Sequence, residues 1–100
     1  MGVLIMVEKI KLAIRVSGEA LNDEILDCIN ACYADMNRVG IVVYNNEKNV
    51  LENKEKDPLI IQCQKLHARW HFNFENQAER YEKAYCAMRD AISLDGDYNV

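Results

Sequence analysis

Cys63, His67 and His71 follow one another at four-residue steps, the one place in this 100-residue chain where thiol and imidazole groups gather at helical spacing. On a helix these positions share about 80° of arc, and thiolate and imidazole both suit zinc. Three ligands spread over two full turns of a straight helix cannot all reach one ion, however, and no fourth ligand stands nearby. A packing cysteine and two boundary histidines are expected, with no metal. Cys28 and Cys32 are also four apart, but neither has a basic neighbour in the same turn to lower its pKa, so redox chemistry is not expected. Ser17 and Ser93 have no activating base in view, and the chain contains no glycine-rich phosphate loop and no nucleophile elbow. The expectation is a protein with no catalytic residues and no cofactor.

Four helices are predicted to carry these side chains, from apolar residues recurring at three- and four-residue steps. The first, about 3–16, puts Val3, Val7, Ile10 and Ile14 on one face and stops at Ser17-Gly18. The second, 22–39, opens at Asn22 as N-cap, with Leu21 and Leu26 placed as a hydrophobic staple and Asp23 and Glu24 at its positive end. Its stripe is Ile25, Ile29, Cys32, Met36 and Val39, and Gly40 follows where a left-handed residue is wanted. The third, 58–74, starts at Asp57-Pro58, an aspartate cap before a proline whose missing N–H costs nothing there. Leu59, Cys63, Leu66, Trp70 and Phe74 form one stripe, while Ile61, Ala68 and Phe72 lie opposite with the stem of Lys65. A helix apolar on two faces must be central, or covered by another subunit. The last, 77–93, starts near Asn76 with Glu79 in a capping-box arrangement and repeats Ala78, Tyr81, Tyr85, Met88 and Ile92. The fold class is therefore all-α, a four-helix bundle-like single domain over 1–100, with a long loop at 41–56 that is either functional or mobile.

Composition sets the outer limits. Half the residues are hydrophobic and 28% are charged, which places the chain among globular domains rather than disordered ones. The run Val3-Leu4-Ile5-Met6-Val7 is too short for a secretory core and leads straight into Glu8-Lys9, so a soluble intracellular protein with no membrane span is expected. A net charge of −4 argues against direct phosphate-backbone binding. A helix-turn-helix reading of residues 3–39 fails for the same reason: Asp23, Glu24, Asp27 and Asp35 would face phosphates with only Arg38 to offset them. Charge is also unevenly placed. Residues 19–36 hold five acids and no base, and residues 65–89 hold five bases and three acids. Two surfaces of opposite sign are what a head-to-tail contact needs, although solvated helix faces would give the same pattern.

The stretch Val7-Glu8-Lys9-Ile10-Lys11-Leu12-Ala13-Ile14-Arg15-Val16-Ser17-Gly18 is followed by Asn22-Asp23-Glu24-Ile25, Ala31-Cys32-Tyr33-Ala34-Asp35-Met36 and Val39-Gly40-Ile41. In the second half, Asp57-Pro58-Leu59-Ile60 opens a helix rich in aromatics and Ala78-Glu79-Arg80-Tyr81 opens the last. This order of helices and punctuation resembles the head-tail connector, or adaptor, proteins of tailed bacteriophages and Firmicute prophages, over about residues 6–98. Residues 1–5 then read as an upstream start or an added extension. The resemblance implies a structural subunit of a homo-oligomeric ring under the portal, with the portal's twelvefold symmetry. DNA would pass through the ring without sequence-specific binding. The implied partners are the portal protein on one side and a tail-completion or stopper protein on the other. Assembly would take place in the host bacterial cytoplasm, and the final location would be the head-tail junction of the virion.

On that reading, the ring contact is expected between Asp23, Asp27 and Asp35 of one copy and Lys65, Arg69, Arg80 and Lys83 of the next, with Ile61 and Phe72 adding apolar area. Val42, Val43 and Tyr44, at the start of the long loop, are the expected partner-binding segment. Two other readings compete: a prophage regulatory or interaction module that binds a partner helix, and a metal-binding or redox protein using Cys63, His67 and His71.

Overall fold

Apolar residues at helical steps do wind into helices over most of the chain. The computed structural model describes the backbone of residues 2–99 and the side chains of residues 5–99. The helices are α1 (Gly2–Ala13), α2 (Asn22–Arg38), a single turn α3 (Glu52–Glu55), α4 (Pro58–His71) and α5 (Ala78–Ser93), with a 3-10 turn at Phe74–Asn76. Among the described residues the one β pairing is an isolated antiparallel bridge between Tyr44 and Val50. The four long helices are those expected, and the protein is an all-α, bundle-like domain. Its radius of gyration of 13.0 Å is that of one compact unit of this length. Val3 and Val100, assigned by the sequence to the buried face of the first helix and to the tail, lie outside the residues whose side chains are described.

Helix α4 packs against α1, α2, α3 and α5, the central position that its two apolar faces required. Its innermost face differs from the expected stripe: Ile60, Cys63, Gln64, His67 and Ala68 are buried, whereas Leu59 is exposed and Leu66, Trp70 and Phe74 are half-buried. Gln64 earns its place by donating from Nε2 to the Ile29 carbonyl of α2 at 3.1 Å, so a polar side chain ties two helices together inside the core. Of the expected α2 stripe, Ile25, Ile29, Cys32 and Met36 are buried in one cluster with Val7 and Ile10 of α1 and Ile14 just past its end, while Val39 is half-buried just beyond α2. Tyr85 and Ile92 supply the buried face of α5.

Helix ends show where local signals held and where they gave way. Gly40, at φ +99°, ends α2 as expected: its N–H reaches Asn37 and the Ile41 N–H reaches Met36. Asp57 caps α4 by accepting from the Leu59 and Ile60 N–H groups at 2.8 and 3.3 Å. Helix α1, in contrast, stops at Ala13 rather than 16. The same two-bond closure forms there with Arg15 in the left-handed position (φ 57°), and Val16 N–H bonds to the Lys11 carbonyl at 2.9 Å. Asn22 lies inside α2, and its side chain bonds to Glu19 instead of capping. The expected pairing of Asn76 with Glu79 is also replaced, because Asn73 Oδ1 accepts the Ala78 N–H at the start of α5.

The segment 41–56 is not a plain loop. Ile41 and Val43 are fully buried, and a tight hairpin returns the chain through Asn45, whose side chain accepts from the Glu47 and Asn49 N–H groups. The C-terminal tail fastens this segment. Val42 N–H donates to the Tyr98 carbonyl at 2.8 Å, Tyr98 Oη donates to Asp57 Oδ2 at 2.7 Å, and Lys54 Nζ lies 4.4 Å over the Tyr98 ring.

Candidate functional site

The three residues with metal-ligand spacing do not converge. Cys63 is fully buried, and burial pushes its thiol up to about 12, with Arg89 opposing. His67 turns toward α2, where its Nδ1 lies 3.2 Å from Cys28 Sγ. Burial, with His71 alongside, lowers His67 to about 4, and burial raises the Cys28 thiol to about 11. The pair is therefore neutral at pH 7, a hydrogen bond rather than the imidazolium–thiolate couple that nucleophilic chemistry requires. Among the described residues no group of three or more His, Cys, Asp or Glu side chains could hold a metal ion.

Among the described residues Asp35 is the centre of a dense polar network. It accepts from Arg89 Nη1 at 2.8 Å, from Arg38 Nη2 at 2.7 Å and from Tyr85 Oη at 2.7 Å, joining α2 to α5. Partial burial raises its carboxyl, but the bonds from Arg89, Arg38 and Tyr85 outweigh that and hold it at about 2. Asp35 was expected at a subunit interface. It is instead committed within its own chain, and so is Arg89, whose side chain is 15% exposed. Arg69 is drawn inward as well, donating from Nε to the Ala13 carbonyl at 3.1 Å and lying over the Phe74 and Tyr81 rings.

With these charges drawn inward, an acidic surface remains on α2 and a surface of mixed sign on α5. Asp23, Glu24 and Asp27 are exposed on α2, whereas Arg80 and Lys83 are exposed on α5 among Glu79, Glu82 and Asp90; Arg80 bonds to Gln77 just before the helix, and Lys83 pairs with Glu79. Lys65 and Ile61 are half-buried on α4. Phe72 is half-buried too, but it belongs with the acids. Together with Glu24, Asp27, Cys28, Ala31, His67 and His71 it lines a groove of about 270 Å³ between α2 and the end of α4. The expected contact placed Phe72 on the basic partner; the fold places it beside Asp27. The sequence also passed over Cys28 and Ala31 as part of a surface, because no local signal ties α2 to a residue some forty positions later.

The expected partner segment divides in the same way. Val43 is buried completely and has no surface to offer, whereas Val42 and Tyr44 are half-buried. Tyr44 lines a broad polar depression of about 890 Å³ with Asn30, Asn37, Asn45 and Asn49, where Lys48 and Glu55 cancel in charge. Among the described residues no helix is long and apolar enough to cross a membrane.

Among the described residues the geometry offers surfaces rather than an assembled reactive centre. No curated protein and no solved structure matched the chain. The family model described as "Phage connector protein" matches residues 6–99, nearly the whole of the described fold. The chain therefore belongs to the phage connector protein family.

Proposed function

We propose that this protein is a non-catalytic subunit of a ring at the phage head-tail junction, seated between the portal and a tail-completion or stopper protein. The family match over residues 6–99 carries the reading. The exposed acids Asp23, Glu24 and Asp27 of α2, and Arg80 and Lys83 standing among the acids of α5, support it as groups for ion pairs between two different surfaces, and such a heterologous contact closes into a ring when the rotation allows. A lumen built from a chain of net charge −4, with its bases scattered or paired inward, would let DNA slide without gripping it. Assembly would take place in the host cytoplasm, with the portal's twelvefold symmetry as the template.

The test is co-purification with the portal protein encoded in the same genome, followed by electron microscopy of the complex. A ring of this chain on one end of the portal is the expected result. A portal that retains none of it at micromolar concentrations would remove the reading.

A further inference from the structure

The C-terminal tail leaves α5 at Ser93, yet the groups that hold it belong to other elements. Tyr98 is attached at three points. Its carbonyl accepts the Val42 N–H at 2.8 Å, its hydroxyl donates to Asp57 Oδ2 at 2.7 Å, and its ring lies 4.4 Å from Lys54 Nζ. Asp57 spends its other oxygen on the cap of α4, so the carboxylate is held in place whether or not a tyrosine meets it. Lys54 is 7% exposed and among the described residues meets no carboxylate, so the face of an aromatic ring is what its ammonium meets. Val42, Lys54 and Asp57 together form a receptor for a short segment bearing a tyrosine. The link between α5 and Tyr98 is held less firmly. Leu94 is 85% exposed, and Asp95, Gly96 and Asp97 are exposed after it. This link is curled: the Tyr98 N–H bonds to the Asp95 carbonyl, and Asn99 Nδ2 reaches back to the Ser93 carbonyl. Opened, the five residues from Ser93 to Tyr98 span up to roughly 17 Å.

We infer that this receptor is shared between copies, with Tyr98 of a second copy of this chain taking the place that the chain's own Tyr98 holds in the isolated subunit. A site that fits its own tail fits the identical tail of a neighbour, because donors, acceptors and ring are the same in both arrangements. The acids beside the contact, Asp95 and Asp97 on the tail and Glu52 and Glu55 on α3, enter both alike and favour neither. Two things separate the arrangements: the turn after Ser93 must open, and two copies must come together. The second cost falls where neighbours are already held side by side. Each copy gives one tail and receives another, so exchange extends until a pair or a ring closes. The identity of the occupant rests on the ring reading above, which tail exchange deepens by naming a segment that joins neighbours.

The experiment complements two damaged full-length chains. Tyr98→Ala removes the anchor of the tail and leaves the receptor intact. Asp57→Ser leaves the tail intact and keeps a side chain that caps α4, but one too short to meet the tyrosine hydroxyl. Sedimentation velocity follows association up to millimolar protein, with circular dichroism reporting the fold. Neither variant alone has both halves of the contact. Their equimolar mixture has one of each, an intact tail with no receptor of its own beside an empty receptor. The mixture should therefore form one-to-one pairs roughly tenfold or more tighter than either variant with itself. Wild type should associate more weakly than the mixture, because its own tail competes for the receptor. Should Asp57→Ser lose its helical signal, Lys54→Ala, which takes the ammonium away from the ring, replaces it with the same expectation. A mixture that associates no more tightly than its separate components overturns the inference. Portal co-purification by wild type separates the two ideas, because a chain that binds the portal while the mixture shows no gain remains a connector whose neighbours meet elsewhere.

Discussion

Asp27 and Asp35 are the same residue type on the same helix, about two turns apart, yet their surroundings give them different work. Asp35 neutralises Arg89 and receives the Tyr85 hydroxyl at the α2–α5 junction, whereas Asp27 stands exposed at a groove rim. Asp35→Ala leaves the mostly buried Arg89 with Asp90 alone and removes the acceptor of the Tyr85 hydroxyl, and should cost about 1–3 kcal/mol, the range for leaving sheltered polar groups short of partners. Asp27→Ala should stay within about 0.5 kcal/mol of wild type, and urea titrations of the monomer compare the two. His67 sets the pH dependence. Its folded pKa of about 4 lies below the ordinary 6.5, so the unfolded chain binds the proton first as pH falls. The stability from keeping it neutral is complete above about pH 6.5 and is lost as pH falls toward 4. Between pH 7 and pH 5 the loss should be about 2 kcal/mol, and His67→Gln should flatten the slope. Equal slopes for both proteins would mean that His67 is not held neutral by the fold. None of these pairings was legible in the sequence. Cys28 with His67 and Asp35 with Arg89 join residues 39 and 54 positions apart, and helical periodicity says which side a residue takes without saying whom it meets.

Helices and their ends were more legible, because they are written in nearby residues. The α2 stripe, the Gly40 stop and the Asp57-Pro58 start could all be read from the sequence, each resting on backbone chemistry within one turn. The errors came where a less common residue took the special position. Arg15 ends α1 in the left-handed conformation that Gly18 was expected to supply, and Asn73, five residues upstream, accepts the first N–H of α5 where Asn76 was expected to begin the helix. The segment 41–56 lacked helical period and so was read as a loop, but it is fixed from outside, by the Tyr98 contacts of the C-terminal tail. Lys48 in its hairpin tests this picture. It has φ 64° just after the turn through Asn45, a position where glycine fits best. Lys48→Gly should therefore stabilise the protein by about 0.5–1 kcal/mol, through relief of left-handed strain. A thermal melt shows the gain as a raised midpoint; a lowered midpoint would mean that the Lys48 side chain contributes more than its backbone strain costs.

At the scale of the whole molecule, the sequence disclosed an imbalance of charge but not how much of it reaches the surface. Of the charges expected at the interface, Asp35 and Arg69 turn inward, and the exposed Arg80 and Lys83 of α5 stand among Glu79, Glu82 and Asp90, so any ion pairs between copies rest on a few exposed side chains. That difference makes salt a means of separating assembly from folding. Exposed pairs are worth about 0.2–1 kcal/mol each, and the screening length falls from about 10 Å at 0.1 M salt to about 3 Å at 1 M. Two such pairs between copies should then weaken association about tenfold over that range, since 1.4 kcal/mol is one decade. Subunit folding should respond less, because Asp35 and Arg89 meet in partial shelter from solvent and the rest of the core is apolar. Sedimentation and thermal melts on the same samples would show association dropping while the melting midpoint holds. If association instead strengthened with salt, apolar area would be the dominant attraction, and Phe72 with Cys28 and Ala31, rather than Glu24 and Asp27, would carry the contact.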